Sequence, residues 1–294
     1  MQLGIIGLGR MGRPMSSNLC RKGFNLLVHD INLDAVRELE KLKARGATPN
    51  ELAAAGDIII TMLPNSQTVQ DVVLGILPYV RRGSLIMDMS TIDPLVTDRL
   101  ASEAAKRGVE FVDAPVGRLA SHADRGESLF MVGASDANFE RVKPLLEAMG
   151  TTIHHCGGVG TGARTKLVNN YLAIVSCQTN AEALALAQRF GLDLEKTLDV
   201  LYGTTAINGQ LKIAWPSKVL SGDIEPGFTV DLAHKDLTLI TEAANAAHVP
   251  MAVGAAAREA FNIARSRGFG PKDFSVMVDV LCDLAGIDKP RLKD

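Results

Sequence analysis

Short apolar runs alternate with helical patterns through the first half of this chain. Residues 3–6 predict a buried strand, and Asn25-Leu-Leu-Val-His-Asp30 predicts a second. A polar helix near 33–45 follows, then the run Asp57-Ile-Ile-Ile-Thr-Met-Leu63. Residues 84–88, 110–113, 129–132 and 151–154 predict further strands, with helices near 94–107 and 138–149 among them. Strands separated by crossover helices imply a largely parallel sheet with helices on both faces.

The pattern changes near residue 160. Between Ala163 and Phe190 there is no glycine or proline, and Gly191 stands where a helix C-cap would be. At ~1.5 Å per residue such a helix is roughly 40 Å long, enough to leave one domain and enter another. Beyond it, helical segments are punctuated by Gly203, Gly209, Pro216, Gly222, Pro226, Pro250 and Gly268-Phe-Gly-Pro271, and no run reads as a strand. The expectation is a doubly wound α/β domain over 1–161 and an all-α domain over 162–294, linked by a long interdomain helix.

The turn after the first strand narrows the first domain's class. Gly7-Leu-Gly-Arg-Met-Gly12 is a G-x-G-x-x-G turn between a strand and a helix, with Asp30 at the end of the next strand. Gly7 permits the tight turn, Gly9 lets a pyrophosphate approach bare backbone, and Gly12 allows close packing. The helix N-terminus offers unpaired N–H groups to phosphates. Asp30 can accept hydrogen bonds from a ribose diol and would repel a 2′-phosphate, which points to a Rossmann-type domain binding NAD rather than NADP.

Composition removes other classes. The chain has 294 residues, 47% hydrophobic and 22% charged, with a net charge of −2. That balance gives no electrostatic case for nucleic acid or an anionic membrane, and no apolar run approaches the roughly 18 residues of a membrane span. The first predicted strand starts almost at Met1, so no cleavable signal peptide is expected. Cys20, Cys156, Cys177 and Cys282 lack C-x-x-C spacing, which suggests reduced thiols in a cytoplasmic protein. The His154-His155 pair has no acid or cysteine at ligand spacing, so no metal is expected.

Ligands of open α/β sheets sit beyond the carboxyl ends of the strands. Three polar segments follow those ends: Leu63-Pro-Asn-Ser66, Asp88-Met-Ser-Thr91 and Asp113-Ala-Pro-Val-Gly-Arg118. Lys166 and Asn170 are four apart at the start of the long helix, with Asn169 on the same side. A lysine ammonium held at an interdomain cleft can protonate a carbonyl oxygen while hydride reaches its carbon. Asn170 would orient the substrate hydroxyls or the lysine.

These motifs together resemble the β-hydroxyacid dehydrogenases, the family of 3-hydroxyisobutyrate dehydrogenase and tartronate semialdehyde reductase. The resemblance spans essentially the whole chain. It is carried by Gly7-Leu-Gly-Arg-Met-Gly-Arg-Pro-Met15, Met62-Leu-Pro-Asn65, Asp88-Met-Ser-Thr91, Asp113-Ala-Pro-Val116, Gly160-Thr-Gly-Ala-Arg-Thr-Lys-Leu-Val-Asn-Asn170 and His234-Lys-Asp-Leu237. It implies that Lys166 is the catalytic lysine and Asn170 its substrate-orienting partner. It also implies that Arg10, Met11, Leu63, Pro64, Asn65 and Thr91 line the cofactor site, with Phe228 and Lys235 toward the nicotinamide. Ser90 and Gly117 are expected at the substrate, and the chain is expected to form a homodimer or homotetramer. His234 and Trp215 read as structural residues.

One departure bears on the substrate. The family's usual loop is Asp-Ala-Pro-Val-Ser-Gly-Gly, and this chain has Gly117 and Arg118 in place of the serine and first glycine. An arginine fork suits an anion with several oxygens, such as a sulfonate, and Gly117 would leave room for a tetrahedral head group. The Val-Gly-Arg loop resembles the sulfolactaldehyde-reducing branch of the family, as do Trp215-Pro-Ser-Lys-Val-Leu-Ser-Gly-Asp223 and Asp231-Leu-Ala-His-Lys-Asp-Leu237. That resemblance implies Arg118 and Asn169 on a sulfonate and reversible NADH-dependent reduction of sulfolactaldehyde to 2,3-dihydroxypropane-1-sulfonate. Reduction of a carboxylated semialdehyde (succinic or tartronate semialdehyde, or oxidation of 3-hydroxyisobutyrate) stands beside it, and a non-catalytic NAD-binding protein stands further off.

Overall fold

Successive residues of a strand point to opposite faces of its sheet, so a strand apolar throughout must feed two cores. The triplet Ile58, Ile59 and Ile60 does this: Ile58 and Ile60 join a core with Leu3, Ile5, Leu85 and Met87, while Ile59 joins another with Ile6 and Ile86. A computed structural model describes residues 1–292. They form two compact units, Met1–Leu167 and the chain from Val168 onward. The expected boundary at 161/162 lies six residues earlier, near the start of the same long helix.

The strands of the first unit are β1 (Gln2–Ile6), β2 (Asn25–His29), β3 (Arg45–Gly46), β4 (Ile58–Thr61), β5 (Leu85–Asp88), β6 (Glu110–Asp113), β7 (Val116–Gly117), β8 (Ser128–Gly133) and β9 (Gly150–Gly157). Their order is β3-β2-β1-β4-β5-β6-β8-β7, with β9 beside β8. The first six are parallel, and the order reverses direction at β1, which lies between β2 and β4. The crevice beyond the carboxyl ends of β1 and β4 is therefore the expected ligand position. The sheet departs from parallel at β8, antiparallel to β6 and β7.

The unit's helices are α1 (Gly12–Arg21), α2 (Leu33–Glu40), α3 (Pro49–Ala55), α4 (Ser66–Ile76), α5 (Pro94–Lys106), α6 (Ala120–Asp124), α7 (Asp136–Met149) and the first turns of α8 (Thr161–Arg189). Met15 and Leu19 of α1, Leu39 of α2 and Leu145 of α7 cover one core. Leu52 of α3, Val73 of α4 and Leu100 of α5 cover the other. This is the doubly wound arrangement that the alternating pattern predicts.

Helix α2 is shorter than expected. It stops at Glu40 rather than Arg45, because Leu39 is its last buried residue and the chain then turns through Lys43 at φ +72°. The amide of Ala44 donates to Leu39 O at 3.2 Å, and Arg45–Gly46 pairs with β2 as an edge strand. Sheet pairing offers those two residues the hydrogen bonds that another helical turn would have supplied.

In the second unit the rest of α8 is followed by α9 (Leu194–Tyr202), α10 (Val230–Ala246), α11 (Ala252–Ser266) and α12 (Met277–Ala285), with a π-helical turn at Gln210–Ala214. Among the described residues this unit has no strand, only an isolated bridge between Thr229 and Asp273. Helix α8 runs unbroken for 29 residues. Gly191 ends it at φ +68°, with Leu192 N–H donating to Ala187 O at 3.1 Å. Trp215 is fully buried, as a packing anchor would be. No helix among the described residues is long and apolar enough to cross a membrane.

Candidate active site

The three glycines of the first turn do different work. Gly7 sits at φ +101°, and a Cβ there would lie 2.2 Å from Met62 O. A Cβ on Gly12 would lie 2.0 Å from Gly7 O, so this glycine lets the turn close on itself before α1. Gly9 is bare for no internal reason: a Cβ there meets nothing within 4 Å. Its openness fits a ligand approaching the backbone. Helix α1 has no side-chain cap and no acid in its first turn, whereas α2, α3, α4 and α5 are each capped by a side chain. Uncapped N–H groups beside open backbone suit a pyrophosphate.

Asp30 ties this turn to β2. Its Oδ2 accepts the Leu8 N–H at 2.6 Å and its Oδ1 accepts the Asn32 N–H at 2.7 Å. The carboxylate is held at the sheet's carboxyl edge and only partly buried, where remaining lone pairs can meet a ribose diol. Arg10 is exposed in the turn, and Met11 packs against the core beneath it.

The neighbouring loop is organised by Asp88, at the end of β5. Its Oδ1 accepts the hydroxyls of Thr61 at 2.8 Å and Ser90 at 2.6 Å, and the Ser90 oxygen accepts the Leu63 N–H at 2.9 Å. Ser90, expected at the substrate, is buried and holds the Leu63-Pro64-Asn65 segment in place. Asn65 caps α4 by accepting the Thr68 N–H at 2.9 Å, while Pro64 and Asn65 remain exposed and Thr91 half-buried.

Lys166 lies on α8 within the first unit. It is 9% exposed, and its Nζ donates to Val116 O at 2.7 Å. The loop from Asp113 to Arg118 is thus in direct contact with the expected general acid. Asp113 itself accepts the N–H groups of Gly160 at 2.6 Å and Ala163 at 2.7 Å. Burial pushes its carboxyl up to about 6, opposed by the backbone N–H groups of Gly160, Ala163 and Asp113 itself, with Asp88 adding to the rise.

Arg118 follows at φ +70°, and its guanidinium is engaged by the fold. Nη1 donates to Glu127 O at 2.6 Å and Thr151 Oγ1 at 3.0 Å, and Nη2 donates to Thr152 Oγ1 at 3.0 Å. The room expected at Gly117 is not open. A Cβ there would lie 3.1 Å from Leu129 Cδ2, so the missing side chain is filled by protein packing across the β7–β8 pair.

In the second unit, Asn170 stands one turn after Lys166 on α8. Its Nδ2 donates to Asp236 Oδ2 at 2.6 Å, and its Oδ1 accepts from Asn169 Nδ2 at 3.1 Å. Lys235 Nζ lies 3.0 Å from the other Asp236 oxygen. Asn169, Asn170 and Lys235 are therefore joined through a buried acid. Phe228 packs edge-on against Phe274 at 5.3 Å. His234 meets Arg265 at 3.2 Å, and burial together with Arg265 and Arg258 lowers its pKa, consistent with a structural residue.

Asp88, Asp113 and Asp236 were not singled out as site residues from the sequence. All three sit inside the motifs quoted above, and the available signal was an acid at a strand's end or beside a lysine. The described residues contain no group of three metal-ligating side chains, and all four cysteines are free.

Comparison with known proteins shows the family and the fold. Residues 2–158 match the NAD-binding domain of 6-phosphogluconate dehydrogenase, and residues 160–281 match the family described as NAD-binding of NADP-dependent 3-hydroxyisobutyrate dehydrogenase. The chain is 41% identical over 289 residues to the 3-sulfolactaldehyde reductase of Escherichia coli K12, covering 97% of each chain. It is 35% identical over 291 residues to the 2-(hydroxymethyl)glutarate dehydrogenase of Eubacterium barkeri, covering 98% of this chain and 97% of that one. The structure of Mycobacterium tuberculosis 3-hydroxyisobutyrate dehydrogenase with L-serine aligns at a TM-score of 0.91 and 29% identity, covering 95% of this chain and 98% of that one.

Proposed function

The chain belongs to the 3-hydroxyisobutyrate dehydrogenase family of NAD-binding oxidoreductases, and within it we propose that it reduces sulfolactaldehyde to 2,3-dihydroxypropane-1-sulfonate, reversibly and with NADH. The observation that carries this reading is the loop Val116-Gly117-Arg118. Its first carbonyl accepts the Lys166 ammonium at 2.7 Å, and two residues later it carries an arginine. An arginine in the same loop that receives the proton donor favours a small aldehyde with an anionic head group. Likeness to the Escherichia coli 3-sulfolactaldehyde reductase supports the sulfonate over other anions.

Gly7, Gly9, Gly12 and the uncapped start of α1 hold the pyrophosphate, and Asp30 takes the adenosine ribose. The Leu63-Pro64-Asn65 segment and Thr91 flank the cofactor, with Phe228 and Lys235 toward the nicotinamide. When bound, the dinucleotide supplies the hydride. Lys166 Nζ donates a proton to the carbonyl oxygen as the carbon is reduced and recovers it from solvent afterwards. Val116 O holds that ammonium until the substrate oxygen replaces it. Asn170, its amide fixed by Asp236, orients the substrate hydroxyl. Arg118 and Asn169 bind the head group, Arg118 through guanidinium hydrogens turned from the Thr151 and Thr152 hydroxyls. The protein works in the cytoplasm as a homodimer or homotetramer, which light scattering on the eluted protein tests.

A carboxylate reading stands beside the sulfonate one, because a guanidinium pairs with either and the Eubacterium barkeri relative is named for a carboxylated compound. NADH consumption with sulfolactaldehyde beside succinic, tartronate and methylmalonate semialdehydes separates them. We expect kcat/KM at least about a hundredfold higher for the sulfonate, about 2.7 kcal/mol of transition-state binding. An equal or better carboxylate substrate overturns the assignment. Arg118→Ala should raise KM for the preferred aldehyde about tenfold or more, and an unchanged KM removes Arg118 from the head group.

A further inference from the structure

We propose that Asp113 is a positioning residue for Lys166: by gripping the first N–H groups of α8 it fixes the lysine against the loop that receives the substrate. The proposal rests on Lys166 as the proton donor proposed above. Asp113 is 1% exposed at the end of β6, and its two oxygens take two different backbone donors, Gly160 N–H at 2.6 Å and Ala163 N–H at 2.7 Å. Lys166 comes three residues after Ala163. Its Nζ returns to Val116 O, three residues after Asp113. Two hydrogen bonds thus close a ring through residues 113–116 and 163–166. An ammonium on a long flexible side chain can swing, and a ring anchored at both ends restricts that swing.

The surroundings are shaped to admit this carboxylate. A Cβ on Gly133 would lie 2.4 Å from Asp113 Oδ1, and one on Gly162 would lie 2.9 Å from Oδ2 and 2.3 Å from Met131 O. Neither glycine has a positive φ, so backbone conformation does not require them and space does. The same helical turn is held from its other side by Arg164, whose guanidinium forks onto Asp98 at 2.6 and 3.0 Å. Charged groups that act on Asp113 include Asp88, its in-register neighbour on β5, and Arg164 on α8.

Only a carboxylate offers both oxygens as acceptors. An amide would turn an N–H toward one of the two backbone donors and release one corner of the ring. Asp113→Asn is therefore expected to lower kcat about 10- to 100-fold, with the NADH dissociation constant, followed by fluorescence, changed less than about threefold. The decisive readout is a double-mutant cycle on kcat, measured with whichever aldehyde the wild type turns over. In a Lys166→Ala background, Asp113→Asn should cost no more than about twofold, because the group it positions has gone. An equal fractional loss in both backgrounds, or an undiminished kcat in folded Asp113→Asn, overturns the proposal. If Asp113→Asn does not fold, Gly133→Ala takes its place in the cycle, since its methyl presses on the same carboxylate oxygen. A carboxylate preference in the substrate panel would sink the sulfonate reading and leave this cycle intact. Full turnover by Lys166→Ala would overturn the proton-donor role and this proposal together.

Discussion

The nucleotide turn and the lysine ring lie in one unit and are built on opposite plans. The turn is contiguous: Gly7 to Asp30 spans one turn, one helix and the next strand, and what it presents is backbone N–H groups. The ring is assembled from segments some fifty residues apart, and its contacts are side-chain oxygens and an ammonium. Both use an aspartate at a strand end to hold backbone N–H groups. In each, both carboxylate oxygens accept backbone N–H groups, but Asp30 is only partly buried whereas Asp113 is buried. An acid at a strand end can thus hold backbone N–H groups while partly exposed or while buried, and only the partly exposed one is open to solvent.

The largest expected effect falls on the ring. Lys166→Ala should lower kcat by about 10²- to 10⁴-fold while NADH still binds with its normal fluorescence titration. A matching loss of NADH affinity would show that the two regions are not separable. The glycines of the turn give a sharper contrast. Gly12→Ala should destabilise the protein by about 1–3 kcal/mol in urea melts, because its methyl meets Gly7 O. Gly9→Ala should leave the melt unchanged and weaken NADH binding about tenfold, or about 1.4 kcal/mol. A Gly9→Ala protein that binds NADH normally would place the pyrophosphate elsewhere.

Smaller effects test the two aspartates. Asp30→Asn should shift the kcat/KM preference for NADH over NADPH by about tenfold toward NADPH, since the repelling charge is lost and one ribose acceptor remains. An unshifted ratio would return Asp30 to a purely structural part. For Asp113, burial raises the folded pKa to about 6 against about 3.9 in an unfolded chain. The folded protein then binds more protons than the unfolded one between those values. The Asp113 contribution to stability is full below pH ~4 and lost as pH rises through ~6. The stability of wild type relative to Asp113→Asn should accordingly fall across that window and level off above it. A flat difference would mean the carboxylate is already ionised throughout.

The parallel strands are legible as short apolar runs separated by helical patterns, and the long α8 as a run from Ala163 to Phe190 without glycine or proline that ends at Gly191. Elements too short to show a period leave no such signal. Two-residue β7 has no alternation to detect, and the end of α2 depended on β2 offering an edge to Arg45 and Gly46. The apolar pattern does not reveal helix α3, although Thr48-Pro-Asn-Glu51 spells its capping box. The expected room at Gly117 was mistaken because what fills a missing side chain lies on another strand, here Leu129 of β8.

By itself, the sequence determined the strand-turn-helix that offers bare backbone to a dinucleotide, the acid at the end of β2, and the lysine and asparagine one turn apart on a helix. All of these depend on residues near one another along the chain, where covalent geometry sets the distances. Only the tertiary structure decided that Asp113 grips α8, that Ser90 supports Leu63 rather than facing outward, and that Arg118 lies on Thr151 and Thr152. Those outcomes follow from which strands become neighbours and in what register. Sheet pairing brings together residues that no local pattern relates, and burial then forces each polar atom among them to find a partner.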